Sequence, residues 1–117
     1  MNGQTKKDKN QEQGLAFSFI RMPTRYAKPR ENGITVIADK GMGLHELRDI
    51  LDLAGMYVDW LKIGFSAARI YSRNHLREKI RICHDQGVRV FLAGDFSELA
   101  YVQGGTGQYY REVMELG

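Results

Sequence analysis

Three stretches of this chain combine ionisable side chains with the glycine turns that would expose them. Asp39-Lys40-Gly41 follows a β-branched apolar run, and Lys62-Ile63-Gly64 ends a second apolar run. Gly94-Asp95 ends a third, with Glu98 one helical turn further on. A lysine inside Val58-Asp59-Trp60-Leu61-Lys62-Ile63 is costly unless its ammonium pairs or reaches a cleft. A snorkelling stem with a wet head is the alternative, but the position at a strand end favours a functional Lys62. Asp39 and Lys40 fit a salt bridge or turn as well as a reactive pair. Glu98 fits a metal ligand, and equally a first-turn carboxylate favoured by the helix dipole. Further upstream, Arg21, Arg25, Lys28 and Arg30 fall within ten residues that contain no acid. Such a run is usually a solvated face; the sharper reading has one or two of these cations neutralising an anionic ligand.

The remaining constellations carry less. His45, His75 and His84 fall in predicted helices without metal-ligand spacing and read as surface residues. Cys83 lies on an apolar helical face and reads as core. The run Gly104-Gly105-Thr106-Gly107 lacks the GxxxxGK[ST] pattern and does not follow a strand, so it reads as a flexible break. No GxGxxG follows the first strand, which speaks against a dinucleotide cofactor.

The elements that must position these residues follow a repeated order. Ile34–Ala38, Tyr57–Gly64 and Val88–Ala93 read as strands. Between the first two, Leu44, Leu47, Ile50, Leu51 and Ala54 recur at helical spacing, with Gly55 suited to the cap. A polar loop then leads to a helix with Leu76, Ile80 and Cys83 on one face, closed by Gly87. Beyond the third strand come a short helix over Phe96–Val102, the glycine break, and a last helix using Tyr110, Val113 and Met114. Counted from Ile34, Val58 and Val88, the β-branched residues that open each run, the spacings are 24 and 30 residues, long enough for right-handed βαβ units. The predicted fold class is therefore α/β with a parallel sheet. Its strands are apolar rather than alternating, as expected when both faces are covered. In such sheets reactive groups gather at the strands' carboxyl ends.

Composition bounds the rest. The chain has 117 residues, 43% hydrophobic and 26% charged, which fits one globular domain and argues against wholesale disorder. Lys+Arg 17 against Asp+Glu 14 gives +3, too mild to imply nucleic acid, and no RNA-binding signature accompanies it. No apolar run approaches a membrane span. Lys6, Lys7 and Lys9 are followed by polar residues rather than a secretory core. The single cysteine makes a reducing cytoplasm the expected compartment. Residues 1 to 13 are almost wholly polar and should be mobile. Leu15–Ile20 then forms a short apolar patch, and Pro23 and Pro29 punctuate an extended approach to the domain.

Together these segments resemble the phosphosulfolactate synthase family, which adds sulfite to phosphoenolpyruvate on a TIM-barrel scaffold. Lys28-Pro29-Arg30-Glu31 with Gly33 and Thr35 is similar to the family's opening KPR motif followed by G and T. Asp39-Lys40-Gly41 is similar to its DKG, Leu53–Gly64 to its second-strand motif, and Glu78-Lys79-Ile80 to its EKI helix. Where the family reads FGWGTS after the lysine, this chain has Ile63, Gly64, Phe65, Ser66, Ala67 and Ala68. Where it reads GGTLFE, this chain has Ala93, Gly94, Asp95, Phe96, Ser97 and Glu98. A carboxylate at residue 95 repels phosphate or sulfite unless a cation sits between them.

The resemblance implies a partial (β/α)8 barrel, with a flexible polar arm over 1–27 and three βα units over 28–117. It implies a Mg²⁺-dependent lyase acting on a small anionic substrate, in the route to coenzyme M. Lys62 would be catalytic, Lys40 and Arg30 would hold the substrate, and Glu98, Asp39 and Asp95 would serve the metal. A closed barrel takes roughly 250 residues. The chain is thus expected to be part of a longer one, or to need further copies in a homo-oligomer. A family member acting as a non-catalytic binding or assembly module is the alternative.

Overall fold

A computed structural model describes residues 14–117. The mobile stretch expected over residues 1 to 13 lies outside the described residues. The chain divides into two units, 1–33 and 34–117.

The described part of the first unit is built from turns and bends, without a helix or strand. Arg25 Nη2 donates to the Gly33 carbonyl at 2.9 Å, and Arg30 Nε to the Tyr26 carbonyl at 2.8 Å. Phe17 and Phe19 meet edge to face at 6.2 Å and remain exposed, as do Leu15 and Ile20.

The second unit carries the predicted alternation. Strand β1 (Val36–Asp39) leads into helix α1 (Leu44–Ala54), and β2 (Trp60–Ile63) into a one-turn helix α2 (Ala67–Ile70) and the longer α3 (Arg73–Asp85). Strand β3 (Arg89–Leu92) is followed by α4 (Gly94–Val102) and α5 (Thr106–Leu116). The strands pair in the order β1-β2-β3, both pairs parallel, and β1 and β3 are the sheet's two edges. This open arc of three βα units is the arrangement of part of a (β/α)8 barrel. Each strand is shorter than its apolar run suggested, because only four residues per strand find ladder partners. Residues 67 to 70, read as loop, form α2 by burying Ala67 and Ala68.

Register explains how the sheet is used. Val36, Trp60 and Arg89 lie in one row, and Ala38, Lys62 and Phe91 in another. The intervening rows are Ile37-Leu61-Val90 and Asp39-Ile63-Leu92. Because side chains alternate across a strand, these two pairs of rows occupy opposite faces. The second pair packs against the helices. Leu47 and Leu51 of α1, and Ile82 and Cys83 of α3, close over Leu61, Val58 and Val88. A smaller cluster joins Ile63 to Ala67, Ala68 and Leu76. On the other face Val36 is 49% and Phe91 37% exposed. The expectation of a sheet covered on both sides is therefore corrected among the described residues. The strands do alternate in burial, since helices lie against one face alone.

Helix α3 starts where Ser72 Oγ accepts the His75 amide at 3.1 Å, an N-cap. Its buried face is Leu76, Lys79, Ile82 and Cys83; Ile80, expected on that face, is half-buried. Burial raises the Cys83 thiol to about 11 against the opposing charge of Lys79, with Asp39 adding to the rise, which suits a core residue.

Leu51→Ala should lower stability by about 2–5 kcal/mol, read as a drop in the urea midpoint. Leu53→Ala, on the exposed side of the same helix, should stay within about 0.5 kcal/mol.

Candidate functional site

The carboxyl end of β1 organises the candidate site. Asp39 occupies a row of apolar residues on the helix-covered face and is fully buried, as is Lys79 of α3. Lys79 Nζ lies 2.5 Å from Asp39 Oδ2 and donates to the Met42 carbonyl at 2.6 Å. Asp39 Oδ1 accepts the Gly41 and Met42 amides at 3.0 and 2.7 Å and the Tyr71 hydroxyl at 2.9 Å. Both carboxylate oxygens are thus engaged, as a buried ion requires. Gly41 has φ +133°, a conformation that L side chains rarely adopt.

Charge state follows from these partners. Burial pushes the Asp39 carboxyl up, but Lys79, the two amides and Tyr71 outweigh it and hold it below 3.8. Burial, then the hydrogen bond and charge of Asp39, raises the Tyr71 phenol well above its ordinary value. Lys79 Nζ also sits 4.0 Å from the Tyr71 ring centre, a cation–π contact.

His75 is not the surface residue expected from its sequence context. Its ring stacks on Tyr71 at 4.6 Å, and its buried Nε2 has no hydrogen-bond partner among the described residues. Burial, then the Lys79 charge, lowers its pKa from 6.5 despite opposing effects of Asp39 and the Met42 backbone.

The network underlies the loop that carries Lys40. On the other side of that loop the ends of β1 and β2 are knitted together. The Gly64 amide donates to the Asp39 carbonyl at 2.7 Å, and a Cβ on Gly64 would meet that oxygen at 3.3 Å. Phe65 follows with φ +49°, a strained conformation for a bulky residue. The Lys40 ammonium lies 5.6 Å from the Phe65 ring centre and is exposed.

Lys62 is half-buried in the central strand, between Ala38 and Phe91, on the face without helices. Beside it Trp60 meets Phe91 edge to face at 5.7 Å, with Arg89 5.4 Å from the Trp60 ring. Asp95 and Glu98 are exposed in the first turns of α4. Arg30 belongs to the first unit.

The structure therefore brings Asp39, Lys40 and the Gly64-Phe65 turn together, while Asp95 and Glu98 stand on the helix after β3. Asp39, which the resemblance assigns to the metal, lies here at the centre of an internal ion pair with Lys79. No group of three or more His, Cys, Asp or Glu side chains among the described residues could hold a metal. Asp39, Asp95 and Glu98 thus do not fit Mg²⁺ as one donor set. Sequence reasoning passed over Tyr71, and gave Lys79 no role beyond its place in the EKI motif. The available signal was Lys79's position three residues after Leu76 and four before Cys83, a cation on an apolar stripe. Asp59, whose Oδ2 accepts the Thr35 amide at 2.8 Å, is a second buried acid that the sequence alone did not single out.

A parallel sheet with cations at its strand ends is the scaffold of α/β proteins that handle small anions at those ends. The chain belongs to the (2R)-phospho-3-sulfolactate synthase (ComA) family, whose model matches residues 23–117. It is 34% identical over 102 residues to the phosphosulfolactate synthase of Methanothermobacter thermautotrophicus, covering 87% of this chain and 39% of that protein. It is 32% identical over 87 residues to that of Methanocaldococcus jannaschii, covering 74% and 35% respectively. To that of Bacillus subtilis it is 27% identical over 92 residues, covering 79% and 36%. The chain thus spans little more than a third of the length of these curated relatives.

Lys79→Met should cost about 3–5 kcal/mol, because it leaves a buried carboxylate without its cation; urea denaturation at pH 7 measures this. Two linkages set the pH dependence. Asp39 has a lowered folded pKa, so its contribution is complete above 3.8 and is lost as pH falls through the folded value. His75 is also lowered. The unfolded chain takes up its proton first, and stability should decline as pH falls below 6.5. A urea-midpoint series from pH 8 to 5 should show that decline in the parent and a flatter slope in His75→Phe.

Proposed function

We propose that the chain supplies the first βα units of a phosphosulfolactate-synthase-like lyase, which adds sulfite to phosphoenolpyruvate or to a related small anionic acid. Family membership supports this reading, and the observation that carries it is the position of Lys62. It is a half-buried cation in the central strand, beside an exposed apolar surface rather than an acid partner in its rows.

In the addition, the sulfur lone pair forms a bond to C3 of the enol phosphate while the carbon–carbon double bond opens. Negative charge then grows on the substrate carboxylate as an enediolate-like species, and protonation at C2 completes the reaction. Charge of this kind is stabilised by positioned cations. Lys62 acts on the developing charge, and Lys40 holds an anionic group of the substrate; a substrate-binding role for Arg30 rests on the family resemblance alone. Of the carboxylates that the resemblance assigns to Mg²⁺, Asp39 is engaged by Lys79, while Asp95 and Glu98 are exposed and would hold the ion, which would supply further positive charge to the developing enediolate. The compartment proposed is the cytoplasm, and the route that of coenzyme M. Among the described residues no helix is long and apolar enough to cross a membrane, and the mild net charge supports no nucleic-acid partner.

The open sheet face favours a second reading, a binding or assembly module completed by further βα units or by another copy of the chain. Ligand-induced stabilisation separates the two. Phosphoenolpyruvate at about 100 times its dissociation constant should stabilise the protein by about 2.7 kcal/mol, and Lys62→Ala should abolish the shift. Consumption of phosphoenolpyruvate with sulfite and Mg²⁺ should fall at least about 100-fold in the same variant. A folded protein showing neither shift nor turnover favours the module.

A further inference from the structure

We propose that Lys79 and Tyr71 are positioning residues which, through Asp39, set the loop that presents Lys40 to an anionic ligand. The proposal rests on the reading of Lys40 as a substrate-binding residue. Neither side chain needs to meet the ligand: Lys79 is fully buried, and the Tyr71 hydroxyl is spent on Asp39.

The argument is geometric. An exposed lysine on a glycine-flanked turn has many rotamers and a mobile backbone, and ordering both at the moment of binding weakens affinity. Here the backbone is ordered beforehand. Asp39 Oδ1 holds the amides of Gly41 and Met42, the two residues following Lys40. Lys79 holds the carbonyl of Met42 and, on its other side, Asp39 Oδ2. One ammonium therefore ties both ends of the turn to α3. Tyr71 prevents the carboxylate from rotating, by donating to the same oxygen that accepts the two amides. From the opposite side the Gly64 amide fixes the Asp39 carbonyl, and the Phe65 ring lies beside the Lys40 ammonium. With its backbone held on both sides, Lys40 retains only side-chain freedom.

The test uses Tyr71→Phe, which deletes one hydroxyl, alongside Lys79→Met and Lys40→Ala, with phosphoenolpyruvate as the probe. Tyr71→Phe should speed amide exchange at Gly41 and Met42 by about threefold to tenfold, the range expected for one lost hydrogen bond. Exchange at Leu61 and Val90 should be unchanged. Its dissociation constant for phosphoenolpyruvate should rise by a similar factor, with a Tm loss no larger than one hydrogen bond accounts for; a merely structural role would lower Tm and leave the affinity unchanged. Lys79→Met should move both readouts further; where it fails to fold, Tyr71→Phe still decides the matter. Because Tyr71 acts through Lys40, the double variant with Lys40→Ala should bind no more weakly than Lys40→Ala alone. Additive losses, or an affinity loss accompanied by faster exchange throughout the sheet, would overturn the proposal. If the parent protein does not bind phosphoenolpyruvate, the reading of Lys40 fails. Exchange at Gly41 and Met42 then decides the positioning itself, and unchanged rates in Tyr71→Phe would refute it.

Discussion

The buried pair of Asp39 and Lys79 is the constraint around which the second unit is arranged. Two opposite charges removed from water carry a desolvation penalty of several kcal/mol per ion, repaid only when geometry and further hydrogen bonds are good. Here the carboxylate accepts four donors, and the ammonium meets a carboxylate, a carbonyl and the face of a tyrosine. Meeting those demands fixes the relation of β1 to α3, the shape of the turn after β1, and the place of Tyr71. A buried pair is weak evidence for stability in itself, since an apolar pair of equal volume can do as well. Its effect here is to permit one arrangement of the turn.

The sheet shows a complementary division of labour. Its helix-covered face holds the apolar core together with Asp39, and its other face holds Lys62, Trp60, Phe91 and Arg89. In a closed barrel the face without helices turns inward, toward further strands. The chain covers 39% of the Methanothermobacter relative and 35% of the Methanocaldococcus one, and three strands form an arc rather than a closed wall. The chemistry-bearing side chains accordingly fall into two sets, those anchored within the arc and those displayed on its open side.

Lys40 connects the two sets. Its backbone belongs to the anchored turn and its ammonium to the exposed strand end. Departures from the motif that the chain resembles fall around it: Phe65 stands in place of the motif's tryptophan, and Ala67 and Ala68 in place of its threonine and serine. The two alanines are buried in the small second cluster. In this chain the stretch is used for packing. The aromatic at residue 65 offers its ring to the Lys40 ammonium at 5.6 Å.

Local pattern alone was enough for the order of elements. The helix over Leu44–Ala54, the alternation of strands and helices, and the burial of Cys83 were all legible, because periodicity and glycine caps act over a few residues. The strand-end placement of Lys40 and Lys62 was legible for the same reason, as were the motifs that mark the family. Long-range pairing was not. Asp39 and Lys79 are forty residues apart, so nothing near Asp39 distinguishes a metal ligand from an internal ion pair. His75 similarly reads as a surface residue until Tyr71 stacks on it. Whether an apolar strand is covered on one face or two depends on which helices return to the sheet. Sequence determined which residues could do chemistry and what elements carry them. Tertiary structure alone decided which of them are exposed to do it, because burial and pairing arise only when distant segments meet.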